Sequence, residues 1–161
     1  MTEFLQGSVA LARSFLFVPA SRPERFAKAV ASGADVVVVD LEDAVEPLAK
    51  DSARQALRAH FDGLESAQRR RLMVRINGTG TAWHTQDVEL LAQLAGSGLA
   101  GAMVPKAEDG PSLAALAQAC PGLALLPLLE SAQGFRALDA VAAEVAAAVA
   151  AAVEAEAEED R

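Results

Sequence analysis

Asp35-Val-Val-Val-Val-Asp40 is the stretch that decides the fold. Four consecutive valines between two aspartates leave no polar face, so both sides of this strand must be covered, as in a parallel sheet. Working outward from it, short apolar runs alternate with helical segments. Upstream, Phe15 to Ala20 reads as a strand closed by Pro19. Pro23 then suits a first helical turn, Ser21 is placed to cap it, and Gly33 ends the helix after Ser32. Downstream, Pro47 to Phe61 reads as a helix and Leu72 to Asn77 (LMVRIN) as a strand followed by a Gly-Thr-Gly turn. Val88, Leu91, Ala92 and Ala95 then repeat at helical spacing. Gly101 to Lys106 (GAMVPK), Pro111 to Ala119 and Leu123 to Glu130 (LALLPLLE) continue the alternation, and Ser131 is positioned to open another helix.

Strand and helix thus alternate about five times across short connections, which predicts right-handed βαβ units and a parallel sheet. Two α/β architectures satisfy this pattern: an open doubly wound sheet, or part of a closed TIM (β/α) barrel. No strand pattern follows Glu130. From Val141 the sequence becomes VAAEVAAAVAAAVEAEAEEDR, an Ala/Val/Glu composition of strong helix propensity. Residues 1–140 therefore read as the βα domain and 141–161 as a low-complexity, helix-forming tail.

The bulk composition narrows the partners. With 161 residues and 52% hydrophobic content the chain can bury one ordinary core, and aromatics at 4% favour a helix-covered sheet over a small all-β domain. A net charge of −8 argues against nucleic acid and against anionic membrane surfaces, both of which call for a basic face. The single cysteine, Cys120, permits no internal disulfide and suits a reducing cytoplasm; it reads as a small core residue. Met1 to Leu11 lacks the basic start and apolar run of a signal peptide, and no stretch reads as a membrane span.

The informative polar residues stand at the C-terminal ends of the strands, where both architectures place their active sites. Asp40 ends the second strand, with Glu42 and Asp43 just beyond; Arg75 and Asn77 end the third, Lys106 the fourth and Glu130 the fifth. The two-residue period groups Met73, Arg75 and Asn77 on one face, and likewise Ala102, Val104 and Lys106. A guanidinium inside a strand calls for an anion, and a glutamate closing an apolar strand must be paired, metal-bound or at the rim. Other signals are weak. Gly78-Thr79-Gly80 lacks the third glycine of a dinucleotide turn, since Trp83 stands in its place. His60 and His84 have no partners at zinc-like spacing, Arg69 to Arg71 reads as a solvated basic loop, and no G-x-S-x-G occurs.

Five blocks in order carry a family likeness: RSFLFVPASRPERFAKA (Arg13 to Ala29), DVVVVDLEDAV (Asp35 to Val45), VRIN (Val74 to Asn77), VPK (Val104 to Lys106) and LLES (Leu128 to Ser131). Together they resemble the citrate lyase beta-subunit and CoA-ester lyase family of the wider HpcH/HpaI aldolase group, from about Arg13 to Ala140. The resemblance implies a TIM barrel with Mg²⁺ at its mouth, cleaving or forming a carbon–carbon bond in citryl-, malyl- or similar CoA thioesters or in hydroxy acids. It implies Glu130 as a Mg²⁺ ligand and Arg75 as the holder of a substrate carboxylate or oxo group. Glu42 and Asp43 correspond to an acidic pair that hydrogen-bonds metal water and substrate, and Pro19 and Lys28 to the segment near CoA. The sequence singles out no general base. The family's second metal ligand, an aspartate after the next strand, has no counterpart: Asp139 comes too early and Asp160 lies in the charged terminus. The implied partner is a small carboxylate or CoA-thioester substrate, and the two unpaired edges that a half barrel leaves point to further copies of the chain in a homo-oligomer. The alternative expectation is a truncated, non-catalytic subunit that completes its sheet by oligomerising.

Overall fold

The computed structural model describes Val9 and residues 11–147. Most of the N-terminal segment read for a signal peptide, and the tail beyond residue 147 with Asp160, lie outside the described residues. Five strands form one parallel sheet in chain order: β1 (Phe15–Pro19), β2 (Val36–Asp40), β3 (Leu72–Arg75), β4 (Gly101–Val104) and β5 (Ala124–Pro127). Between them run α1 (Phe26–Val30), α2 (Lys50–Asp62), α3 (Ser66–Arg69), α4 (His84–Ala95) and α5 (Gly110–Ala119). α6 (Ala132–Arg136) follows β5, and residues 138–147 are helical.

The valine run behaves as its composition demands, with all five residues of β2 buried. Its two faces meet different neighbours. Val37 and Val39 join Leu72, Val74, Ala102 and Val104 against Phe26, Leu57, Phe61, Leu91, Leu113 and Leu116, all from helices. Val36 and Val38 join Met73 and Met103 on the other face, with Val9, Ala12, Leu126 and Leu128 packed beside them. The helix-borne core residues thus lie against one face, and the strand order never reverses. A doubly wound sheet carries helices on both faces and a switch point, and the described residues show neither.

The strands stop earlier than their apolar runs suggest. Proline is the reason at β4, where Pro105 brings no N–H to the ladder; past β5 the Leu128 N–H still donates to Val104 O at 2.8 Å. Near β1, Ser21 does not cap: Arg22 precedes a short 3-10 turn at Pro23–Arg25, and α1 begins only at Phe26. The basic run is not a solvated loop either. Arg69 donates to the carbonyls of Leu64 and Asp62 and lies 5.0 Å from the Phe61 ring, and Arg71 donates to those of Asp35 and Ala34. At the other end, the helix over 138–147 continues through the change of composition at residue 141, and Val141 is buried against the main core.

Candidate active site

In-register pairing of parallel strands brings Asp40 beside Arg75, and Arg75 beside Met103. Arg75 therefore points to the face without helices, and its guanidinium closes on Asp40 with two parallel hydrogen bonds: Nε to Oδ1 at 2.8 Å and Nη2 to Oδ2 at 2.6 Å. Phe17 of β1 supports the cation from beside, 5.3 Å from its ring centroid. The parallel pair expected for a substrate carboxylate is thus made with Asp40. Hydrogen bonding to Asp40 raises the Arg75 pKa further above its ordinary value, against the opposing effect of burial.

Asp40 does more than hold Arg75. Buried at 2% exposure, it also accepts from the backbone N–H groups of Glu42 (2.9 Å) and Ala44 (3.2 Å), which curls the chain after β2 into a tight turn. That turn delivers the Glu42 carboxylate to the mouth. Its Oε1 accepts from Lys106 Nζ at 2.7 Å; its Oε2 lies 3.2 Å from Arg75 Nη1 but accepts no hydrogen bond of good geometry, although it is buried. Asp43 is exposed next to this pair, and its charge acts on Arg75, Lys106 and Lys50.

Lys106 joins the two halves of the site. Strict alternation would send it to the helical face with Val104, yet its backbone is left-handed (φ 49°). That turn aims Nζ at Glu42 while the Lys106 N–H donates to Glu130 Oε1 at 2.9 Å. The hydrogen bond to Glu42 raises the Lys106 pKa. Glu130 itself is exposed at the end of the LALLPLLE run.

The expected residues Arg75, Glu42 and Glu130 are therefore linked through Lys106, with Asp43 alongside. Pro19 and Lys28 stand apart from that cluster, lining a shallow groove at the β1 edge with Leu16, Phe17, Arg25 and Ser32. Phe17 touches both regions. Asn77 departs from its expected face. Beyond the end of β3 it turns toward the helices, donating from Nδ2 to Leu41 O (3.0 Å) and Asp87 Oδ2 (2.6 Å), while Oδ1 accepts from Lys50 Nζ at 2.7 Å. Asp87 also binds Arg54, so a buried polar layer of Lys50, Arg54, Asn77 and Asp87 lies beneath the mouth. The strand-end reading missed this layer.

The donor set suits a hard, hydrated cation. Mg²⁺ takes one or two protein carboxylates and keeps several waters. Glu130 offers a carboxylate with one oxygen fixed, and Glu42 Oε2 is a buried acceptor without a donor. Among the described residues no group of three or more His, Cys, Asp or Glu side chains could cage a metal, so water or substrate would supply most ligands. No helix among the described residues is long and apolar enough to cross a membrane.

The family model for HpcH/HpaI aldolase/citrate lyase matches residues 13–156. The chain belongs to this family. A citrate lyase subunit beta-like protein of Mycobacterium tuberculosis is 42% identical over 129 residues, covering 80% of this chain and 42% of its own length. The L-malyl-CoA/beta-methylmalyl-CoA lyase of Cereibacter sphaeroides is 38% identical over 141 residues, covering 81% of this chain and 44% of its own. Among solved family structures, protein CitE from Mycobacterium tuberculosis in complex with magnesium, acetoacetate and coenzyme A superposes with a TM-score of 0.66 at 40% identity. That match covers 83% of this chain and 45% of CitE. The chain thus spans less than half the length of the curated relatives it matches.

Proposed function

We propose that this chain forms the front part of a Mg²⁺-dependent carbon–carbon lyase that cleaves a citryl-, malyl- or similar CoA thioester, or a related hydroxy acid, at the mouth of a TIM barrel. The observation that carries the reading is the convergence of Arg75, Glu42, Lys106 and Glu130, from the ends of β2 to β5, into one connected cluster. The one-sided helical cover and sequential strand order support the barrel, because a closed (β/α) barrel is built by repeating that unit. CitE binds magnesium and coenzyme A, and the Cereibacter sphaeroides relative is a malyl-CoA lyase; by likeness to these two, the protein would use Mg²⁺ and a CoA ester.

Glu130 would hold the metal, with Glu42 and Asp43 accepting hydrogen bonds from its waters. Bound there, Mg²⁺ would act as a Lewis acid toward a 2-oxo or 2-hydroxy oxygen. The protein's own groups do the rest. Asp40 holds Arg75 by one edge, leaving Nη1 as the donor for a substrate carboxylate beside Glu42. A preorganised cation of this kind stabilises the negative charge that grows on the departing enolate. Pro19 and Lys28, in the groove behind Phe17, would meet the CoA portion, Lys28 through its positive charge.

Mg²⁺-dependent cleavage of citryl-CoA and malyl-CoA tests the reading. Turnover is expected to need Mg²⁺ and to be lost in Glu130→Gln; absence of both turnover and Mg²⁺-dependent substrate binding refutes it. One observation favours a second reading, a non-catalytic subunit that completes its sheet with another copy. β1 is an edge strand, and its Phe15, Leu16 and Phe17 are 37 to 45% exposed. Light scattering separates the two, since a stable monomer excludes the oligomer-dependent reading.

A further inference from the structure

Lys50 is only 4% exposed, yet no carboxylate receives its hydrogen bonds. Its ammonium donates to Leu41 O (2.6 Å), Glu42 O (2.6 Å) and Asn77 Oδ1 (2.7 Å), and the Trp83 ring lies 5.1 Å from Nζ. Burial lowers its pKa, against the opposing charges of Asp87, Asp40, Glu42 and Asp43. A buried cation held by neutral oxygens adds little to stability, because desolvation offsets what the hydrogen bonds return. Its geometry is the more informative property. The carbonyls of Leu41 and Glu42 belong to the two peptide planes that flank the Glu42 Cα. Drawing both oxygens to one nitrogen fixes the φ and ψ of Glu42, and with them the direction of its side chain. Asp40 grips the same unit from the opposite side through the Glu42 N–H.

We propose that Lys50 is a positioning residue of the mouth, setting where the Glu42 carboxylate stands relative to Arg75 and Lys106. The claim deepens the reading of this mouth as a site for Mg²⁺ and a 2-oxo acid, and its importance for binding rests on that reading. Lys50 touches no reacting atom; it acts through Glu42. Its three donors radiate from a single atom, an arrangement that a planar guanidinium cannot reproduce at the same three acceptors.

The test compares the full chain with Lys50→Met, Lys50→Arg and Leu57→Val, the last weakening the same helix at a buried position outside the polar layer. Three quantities are read: the thermal midpoint, the ¹⁵N–¹H signal of Arg75 Nε, and the affinity for oxaloacetate in the presence of Mg²⁺. Lys50→Met is expected to move the Arg75 signal and weaken oxaloacetate at least tenfold, whereas Leu57→Val leaves the signal in place and the affinity within twofold. Equal losses of affinity in Lys50→Met and Leu57→Val, or an unmoved Arg75 signal in Lys50→Met, overturn the inference. If Lys50→Met does not fold, Lys50→Arg decides: a shifted signal supports the proposal and a wild-type signal overturns it. A wild-type chain that binds no oxaloacetate while the Arg75 signal still responds to Lys50 refutes the reading of the mouth and supports the positioning role.

Discussion

Replacing Asp40 with asparagine separates charge from shape at the hub of the mouth. The native carboxylate accepts four hydrogen bonds, two from Arg75 and one each from the N–H groups of Glu42 and Ala44. Asparagine can keep Oδ1 toward Arg75 Nε and the Glu42 N–H, but its amide nitrogen then faces Arg75 Nη2 and the Ala44 N–H, donor against donor. Removing one member of a buried ion pair costs roughly 3–5 kcal/mol. Arg75 keeps 15% side-chain exposure and Glu42 at 3.2 Å as a remaining anion, which favours the lower end of that range. The expected loss is therefore about 3 kcal/mol, or a fall in thermal midpoint of roughly 6–12 °C for a chain of this size. Urea unfolding followed by far-ultraviolet circular dichroism and by the fluorescence of Trp83, the sole tryptophan, measures it. Arg75→Met leaves Asp40 its two backbone donors and should cost less. The double variant should show coupling of about 2 kcal/mol between the two positions. A loss below about 0.5 kcal/mol in Asp40→Asn, the scale of an ordinary surface change, refutes the account of Asp40 as hub.

Three further outcomes are expected. His60 packs against Phe26 with a centroid separation of 4.8 Å, its Nε2 is buried without a partner, and burial lowers its pKa below the ordinary 6.5. The unfolded chain therefore takes up the proton first, and stability falls as pH drops below about 6.5; His60→Phe should flatten the difference between urea midpoints at pH 5 and pH 7. Gly101→Ala would place a Cβ 2.6 Å from Ala124 O and 3.0 Å from Met73 Cε. The β4–β5 pairing should weaken by about 1–3 kcal/mol, read as faster amide exchange in β5. Val141→Ala should destabilise by about 2 kcal/mol in chemical denaturation, because this 3% exposed side chain belongs to the main core.

Much of the architecture was written in periodicity. DVVVVD announced a strand covered on both faces, and proline, glycine and helical spacing placed the intervening helices within a few residues, except the short α3 (Ser66–Arg69), which lay in a stretch read as loop. Strand parity also aimed Arg75 correctly, since its neighbours Asp40 and Met103 share its face. Parity failed where strands had already ended. Asn77 lies two residues past β3 and turned to the helices, and the left-handed backbone of Lys106 carried its side chain across to Glu42. Alternation holds only while the ladder constrains φ and ψ, so it has no authority over these loop residues. The polar layer under the mouth did leave a trace. Lys50, Ala53, Arg54, Leu57 and Phe61 fall on one helical stripe, as do Asp87, Leu90, Leu91 and Leu94. Charges on an otherwise apolar stripe mark buried polar contacts, but Arg54 finds Asp87 on another helix and Lys50 finds loop carbonyls and Asn77, matches that cannot be made until the strands set the spacing. Pro19 and Lys28 came from resemblance alone; their groove depends on the packing of α1 beside β1.

The unbroken strand order has a kinetic consequence. Among the described residues strands pair only with their neighbours in sequence, so each contact of this five-stranded sheet joins consecutive βα units. Every βα unit can dock on an edge prepared by the one before it, at a modest and nearly constant loop-closure cost. Such a sheet can grow by accretion in the direction of synthesis, one hairpin-free crossover at a time. The ion pairs of the mouth would then form in order of emergence, Arg75 finding Asp40 before Lys106 reaches Glu42.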